Sequence, residues 1–333
     1  MLFAVPTDKI TPRCVLYCIA NVFRLAAGPL PSSENSTLAR PTYTARLLQK
    51  ACISESAQCY HLEFEIPELE SFDLTAGQFV SAVAVDGNGK TQTRAYSIAS
   101  AASGNTFDLC VNRVEGGFFS NYLCDLPAGG TVQVHGPHGH FVLKQPITDS
   151  IFVATGTGIA PMRGFTQWLF PETGPDSGKD RSNGKHIWLV YGTRYESELY
   201  YRDYFERLAE EHENFHYVST LSRAHEEWEG RRGYVQEYLA PIVESRPAPV
   251  PASHSELNQA AAGASPATVA ATVVAVQDVL VAEAEAVAVP APQLPTFDIH
   301  TYICGLNNMV SAVREKLTGY GWHRKQIIFE RYD

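Results

Sequence analysis

Apolar and polar residues alternate through much of the first half of the chain. Tyr60-His61-Leu62-Glu63-Phe64-Glu65-Ile66 keeps a period of two, and Gln78–Val85 and Thr131–His135 read alike, with Gly, Pro and Asn between the runs. A period of two sends successive side chains to opposite faces of a strand, so several short runs at this spacing predict a small antiparallel barrel. One helical stretch, Phe118–Leu126, interrupts them behind Gly116-Gly117. After Pro146 the rhythm changes. Ile151–Ala154, Ile187–Tyr191 and Phe215–Thr220 are short apolar runs of the buried-strand kind. Helical periods follow the first as far as Phe170 and the second over Glu198–His212, with a polar, Gly-rich loop at 171–185. Strands alternating with helices predict a doubly wound parallel sheet. The pattern closes with Ile299–Gly305, an amphipathic helix carrying Val310, Val313 and Leu317, and a last strand at Gln326–Phe329. The expected class is β + α/β: an antiparallel β-barrel domain over residues 41–146, then a parallel-sheet domain over 147–333.

Two stretches fit neither rhythm. Residues 1–40 contain an apolar run, Val15–Leu30, that Arg24 interrupts and that is too short for a membrane span. Lys9 and Arg13 in front of it raise a signal peptide as an alternative, but a loosely attached N-terminal extension is the preferred reading. Residues 247–296 are dominated by Ala, Val, Pro and Ser, and no Lys or Arg occurs from Pro247 to Val313. So few large apolar groups cannot build a core, and an inserted, mostly disordered loop is expected, with a transient helix near Ala270–Val287.

Composition narrows the function. A chain of 333 residues suffices for two cores. A net charge of −10 without a basic block argues against a nucleic-acid binder, because no such block exists to neutralise phosphates, though a local basic patch for an acidic protein partner stays open. Seven cysteines, an odd number without a CxxC pair, suit reduced thiols in a cytoplasmic protein better than a disulfide framework, and they lack the spacing of an iron–sulfur cluster.

The candidate chemistry begins at Arg94-Ala95-Tyr96-Ser97. On an extended segment these supply a cation, an aromatic face and a hydroxyl, which is what a flavin needs for its diphosphate, its ring and its reactive N5. A plain strand end reads the same way. Gly116-Gly117 ahead of Phe118 offers a diphosphate seat at a helix start, or an ordinary turn. Thr155-Gly156-Thr157-Gly158-Ile159-Ala160-Pro161 is a dinucleotide-type turn between strand and helix. Ser222, Arg223, Arg232 and Tyr234 provide guanidinium groups, a hydroxyl and a ring suited to a 2′-phosphate, with solvated surface charge as the alternative. Cys304 stands at a strand end, where packing is the commoner role but where open α/β sheets bind ligands. His135, His138 and His140 flank a Gly-Pro turn, and a solvent-side turn is preferred to a metal site.

In chain order these segments read RAYS, CVNRV, GGFFSNYLCDL, GPHG, TGTGIAPM, STLSR, RRGYVQ, YICG and ERY. From Thr44 to Asp333, apart from the insert, the chain resembles the plant-type ferredoxin–NADP(H) reductase family. The resemblance implies an FAD-binding barrel followed by an NADP(H)-binding domain. It puts Arg94, Ala95, Tyr96 and Ser97 against the flavin, with Cys110, Val111 and Arg113 lining its site and Gly116, Gly117, Phe118 and Ser120 at its diphosphate. Thr155, Gly156, Thr157, Gly158 and Pro161 would receive the pyridine nucleotide, with Arg194, Ser222, Arg223, Arg232, Tyr234, Gln236 and Gly305 completing its site. Cys304 would lie near the nicotinamide, Glu330 would be the active-site carboxylate, and Tyr332 the aromatic that covers the flavin and yields to nicotinamide. Three departures stand out: a short Val114–Gly117 in place of an adenine-stacking hairpin, Asp333 after Tyr332, and the insert. The implied activity is electron transfer between NADPH and a ferredoxin or flavodoxin. A reductase serving an oxygenase, a diaphorase, and a flavin-binding regulatory subunit are the alternatives.

Overall fold

The computed structural model describes residues 41–244 and 297–332. The expected extension at 1–40 lies outside the described residues, as does the insert at 247–296. The first sheet comprises β1 (Thr42–Ser54), β2 (Cys59–Glu65), β3 (Phe79–Val85), β4 (Thr91–Ser97), β5 (Thr106–Asn112) and β6 (Thr131–His138). It is antiparallel, in the order β4-β3-β6-β1-β2-β5. An Ile98–Leu109 bridge and a hydrogen bond from Ala99 N to the Asp108 carbonyl (2.8 Å) join its two edges and close the barrel. The alternation read from β2 decides the register. Leu62 and Phe64 stand opposite Leu109 and Phe107, and the Phe64 and Phe107 rings stack at 5.4 Å in a fully buried core. Slipping the pairing by one residue would turn these rings out to solvent. Helix α1 (Phe118–Asp125) presses Phe119 and Leu123 into the same core.

The second sheet is wholly parallel, in the order β10-β9-β8-β7-β11-β12. Its strands are β7 (Asp149–Thr155), β8 (Ile187–Thr193), β9 (Phe215–Leu221), β10 (Arg231–Arg232), β11 (Ile299–Leu306) and β12 (Ile327–Tyr332), with α2 (Ile159–Leu169), α3 (Arg202–Glu211), α4 (Ala240–Glu244) and α5 (Asn307–Gly319) among them. β7 and β11 are buried along almost their whole length, because helices cover both faces of a parallel sheet. In α5, Val310, Val313 and Leu317 are the buried residues, at helical spacing.

Several boundaries differ from the sequence reading, β6 for one running on to His138 rather than His135. Helix α3 starts at Arg202 rather than Glu198, because Glu196–Glu198 forms a 3₁₀ turn and Tyr201 adopts φ +57°. β12 continues to Tyr332, since pairing with β11 persists to Leu306–Tyr332. The strand order reverses direction between β7 and β11, and open α/β sheets receive ligands at such a crevice.

Candidate functional site

A cavity of about 770 Å³ opens where β4, β5, α1 and the end of β12 meet. Arg94, Ala95, Tyr96 and Ser97 line one wall, Cys110 and Val111 another, and Gly117, Phe118 and Ser120 the helix end. Tyr96 is half-buried, and burial pushes its phenol up to about 12 despite the neighbouring Arg94, so it stays a neutral ring. Arg94 is exposed and makes no ion pair among the described residues. The N-terminus of α1 carries no side-chain cap, which leaves backbone N–H groups facing outward there. A free guanidinium, uncapped N–H groups and an aromatic face around one cavity fit the diphosphate and ring of FAD.

The parallel-sheet half contributes the far wall through Thr157, Ala160, Leu306, Glu330, Arg331 and Tyr332. Ala154, Cys304 and Glu330 lie side by side on β7, β11 and β12, but Ala154 and Cys304 are fully buried and do not line the cavity. Ser97 Oγ donates to Glu330 Oε2 at 3.3 Å, a bond that spans the two sheets. Burial raises the Glu330 carboxyl above the usual Glu range, and the Ser97 hydrogen bond only partly offsets it. Burial, reinforced by Glu330, lifts the Cys304 thiol well above its ordinary value, so it remains a neutral thiol. Tyr332 lines the cavity and donates its hydroxyl to the Thr155 carbonyl at 3.1 Å. Gly158 is required by close approach: a Cβ there would stand 2.1 Å from the Cys304 carbonyl and 2.8 Å from the Tyr332 hydroxyl. Thr155 Oγ1 is buried without a hydrogen-bond partner, and Pro161 is buried one turn into the helix region. An orphaned hydroxyl at the strand-order reversal fits a dinucleotide that would satisfy it.

At the edge of the sheet, β9 and β10 bring Ser222, Arg223, Arg232 and Tyr234 together, with Thr220 and Leu221 paired to Arg231 and Arg232. Tyr234 is 62% exposed, as a stacking ring would be. Arg223 is exposed and has no ion pair among the described residues. The other arginines are engaged. Arg232 donates to the carbonyls of Ala224 (3.3 Å), Glu226 (2.9 Å) and Trp228 (2.7 Å). Arg194 pairs with the buried Glu198 at 2.8 Å. Gln236 lies in the short turn after Tyr234, and Gly305 follows Cys304 against Thr155. Arg113 turns away from the cavity to Asn121 (2.8 Å) and Asp125 (2.6 Å) of α1, and Gly116 is not part of the wall.

The cavity also includes residues the sequence reading missed, among them Phe79, Phe119, Leu306 and Arg331. Phe79 pairs with Ser97 in the ladder, a relation that appears only once the register is known. Arg331 is adjacent to Glu330, and that adjacency was the available signal. His135 Nδ1 and His138 Nε2 share a hydrogen bond at 2.8 Å, so each occupies the other. Among the described residues His61, Glu63 and Asp108 form the one cluster of metal-ligand type, but Arg163 already pairs with Asp108 at 2.8 Å. No described helix is long and apolar enough to cross a membrane.

Residues 44–143 match the oxidoreductase FAD-binding domain family, and residues 152–254 the oxidoreductase NAD-binding domain family. The chain is 38% identical over 276 residues to ferredoxin–NADP reductase B of Sorangium cellulosum, covering 82% of this chain and 91% of that protein. Among solved structures, an Amycolatopsis cytochrome P450 reductase superposes with a TM-score of 0.62 at 22% identity, over 87% of this chain and 69% of that one. Ferredoxin–NADP⁺ reductase from Plasmodium falciparum with 2′P-AMP gives 0.59 at 19%, over 87% and 96%. At these identities the two structures speak for the fold alone.

Proposed function

Because the chain belongs to the ferredoxin–NADP reductase family, we propose that it moves electrons from NADPH to a one-electron carrier protein of ferredoxin or flavodoxin type, residues 41–146 holding FAD and 147–333 the nucleotide. Bound FAD would supply the exchange between a two-electron donor and a one-electron acceptor. The observation that carries this reading is the Ser97–Glu330 hydrogen bond, which joins the flavin-type strand to the nucleotide-type sheet inside one cavity.

The roles follow from the surroundings of each group. Arg94 neutralises the diphosphate, and Tyr96 gives the ring a neutral aromatic face. Ser97 and Glu330 orient the reacting rings and hold a proton between them, which a carboxyl raised by burial does over a wider pH range than an exposed one. Cys304 is fully buried behind the cavity, and burial keeps it a neutral thiol, so it supports the site from beneath rather than acting as a nucleophile. The Tyr332 hydroxyl is held by its bond to the Thr155 carbonyl, and breaking that bond to release the ring for nicotinamide costs about 0.5–1.5 kcal/mol. Arg223 is the cation most available to a 2′-phosphate, which favours NADPH over NADH. The free thiols at 52, 59, 110, 124 and 304 suit a reducing, cytoplasmic setting.

Anaerobic titration of the purified protein with NADPH and, separately, NADH tests this reading through the flavin absorbance. Fast bleaching by NADPH and slow bleaching by NADH is expected, with reduced protein then passing electrons to ferredoxin. Equal bleaching by both would move the reading to an oxygenase-type reductase. A preparation without flavin would overturn it.

A further inference from the structure

The strand carrying the flavin-type residues continues past Ser97 into Ile98-Ala99-Ser100-Ala101, and the turn carrying Gly156–Gly158 continues into α2. These two continuations are fastened to each other at three successive points. Arg163 Nη1 donates to the Ala99 carbonyl at 2.7 Å and to Asp108 Oδ2 at 2.8 Å. The backbone of Gly164 lies so close to the Ser100 carbonyl that a Cβ on Gly164 would come within 2.9 Å of that oxygen. Gln167 Oε1 accepts from Ala101 N at 3.1 Å. The segment is held from its other side too, since Asp108 N donates to Ser100 Oγ at 3.0 Å and Ala99 N to the Asp108 carbonyl. Stacking over the Tyr201 ring, with Arg163 Cζ 5.0 Å from its centroid, fixes the guanidinium further.

From these contacts we propose that Arg163, Gly164 and Gln167 are positioning residues that set the alignment of nicotinamide on flavin. They touch neither group. They fix the helix behind the nucleotide turn to the segment behind the flavin strand, so the relative placement of the two sites is decided a turn away from the chemistry. A helix is stiff along its axis, and a displacement at Gly164 passes to Gly158 with little loss. This inference rests on the NADPH–flavin reading above.

Gly164→Ala is the sharpest probe. Ala is a better helix former than Gly, so α2 itself is strengthened. Yet the added methyl meets the Ser100 backbone oxygen, in a segment that Asp108 holds from its other side, and the helix has to move by a few tenths of an ångström. Arg163→Lys is the second probe: it keeps the charge and loses the planar guanidinium that stacks over Tyr201. Holoenzyme of each would be mixed anaerobically with NADPH for the limiting rate of flavin bleaching. FAD content is measured by absorbance, and NADP⁺ affinity by calorimetry. The limiting rate should fall about tenfold or more in Gly164→Ala, since ångström-scale misplacement of reacting groups costs up to about 10²-fold, and less in Arg163→Lys. FAD content and NADP⁺ affinity should stay at wild-type values. Wild-type rates in both variants would overturn the proposal, and so would loss of FAD or of folded protein in both, which marks a purely structural role. Wild-type protein that NADPH fails to bleach would instead refute the reading of the function on which the proposal rests.

Discussion

Arg94 stands at the barrel's cavity with no ion pair among the described residues, whereas Arg232, at the sheet's candidate phosphate pocket, already donates to three backbone carbonyls. Both are exposed, both are arginines in a motif that suggests an anion, and from sequence alone they are equivalent. Their free energies toward a ligand are not. A guanidinium has five N–H donors. Arg94 has none of them committed among the described residues, while Arg232 would have to break bonds to the 224–228 loop, at about 0.5–1.5 kcal/mol each, to meet a phosphate. The barrel's cavity therefore has an open cation, and the phosphate pocket rests first on Arg223. What decides the use of a charged residue is how much of its bonding capacity the fold has left open.

The largest effect that would break this comparison lies at Arg94. Arg94→Ala should weaken FAD about 10- to 100-fold, the loss of charge-assisted bonds worth about 1.5–3 kcal/mol. Fluorescence titration of flavin-free protein with FAD measures it, and an unchanged affinity would mean that the uncapped end of α1 holds the diphosphate alone. The next effect separates the two pocket arginines. Arg223→Ala should raise the NADPH KM about tenfold and leave NADH nearly untouched, as expected for one lost ionic hydrogen bond. Arg232→Ala should loosen the 224–228 loop and harm both nucleotides alike. Steady-state kcat/KM with each nucleotide decides between them. A loss confined to NADPH in the Arg232 variant would show that its carbonyl partners release it on binding.

The same distinction explains what was legible in the sequence. The alternation in β2 and the apolar runs of β7 and β8 encoded barrel and parallel sheet, because strand period and burial are local properties of the chain. Ser97, Glu330 and Tyr332 stand out in the sequence through the motifs around them, and all three line one cavity. Phe79 was not legible, since its place opposite Ser97 depends on register between distant strands. Nor was the commitment of Arg113 to Asp125 and of Arg194 to Glu198. The start of α3 was misread for a related reason: Glu198 looked like the first turn of a helix, but its buried carboxylate is used to hold Arg194.

Glu330 supplies the smallest test and the one with a sign. It is a carboxyl that the fold leaves under-satisfied: among the described residues it accepts from Ser97 alone, and burial raises its pKa above the ordinary value near 4.5. A carboxyl whose folded pKa exceeds its unfolded one favours the native state while protonated. That contribution is complete below pH 4.5 and is lost as pH rises through the raised value. Glutamine in its place cannot ionise. Glu330→Gln should therefore melt close to wild type at pH 4 and above it at neutral pH, with the gap opening between. For a domain of this size each kcal/mol corresponds to about 2–4 °C in Tm. Thermal melts of the holoenzyme across that pH range, at constant salt, are the measurement. A gap of the opposite sign would mean that Glu330 is ionised and paired in the native state. It would then belong with Arg232 and Arg194, among the groups whose capacity the fold has already used, and not with Arg94.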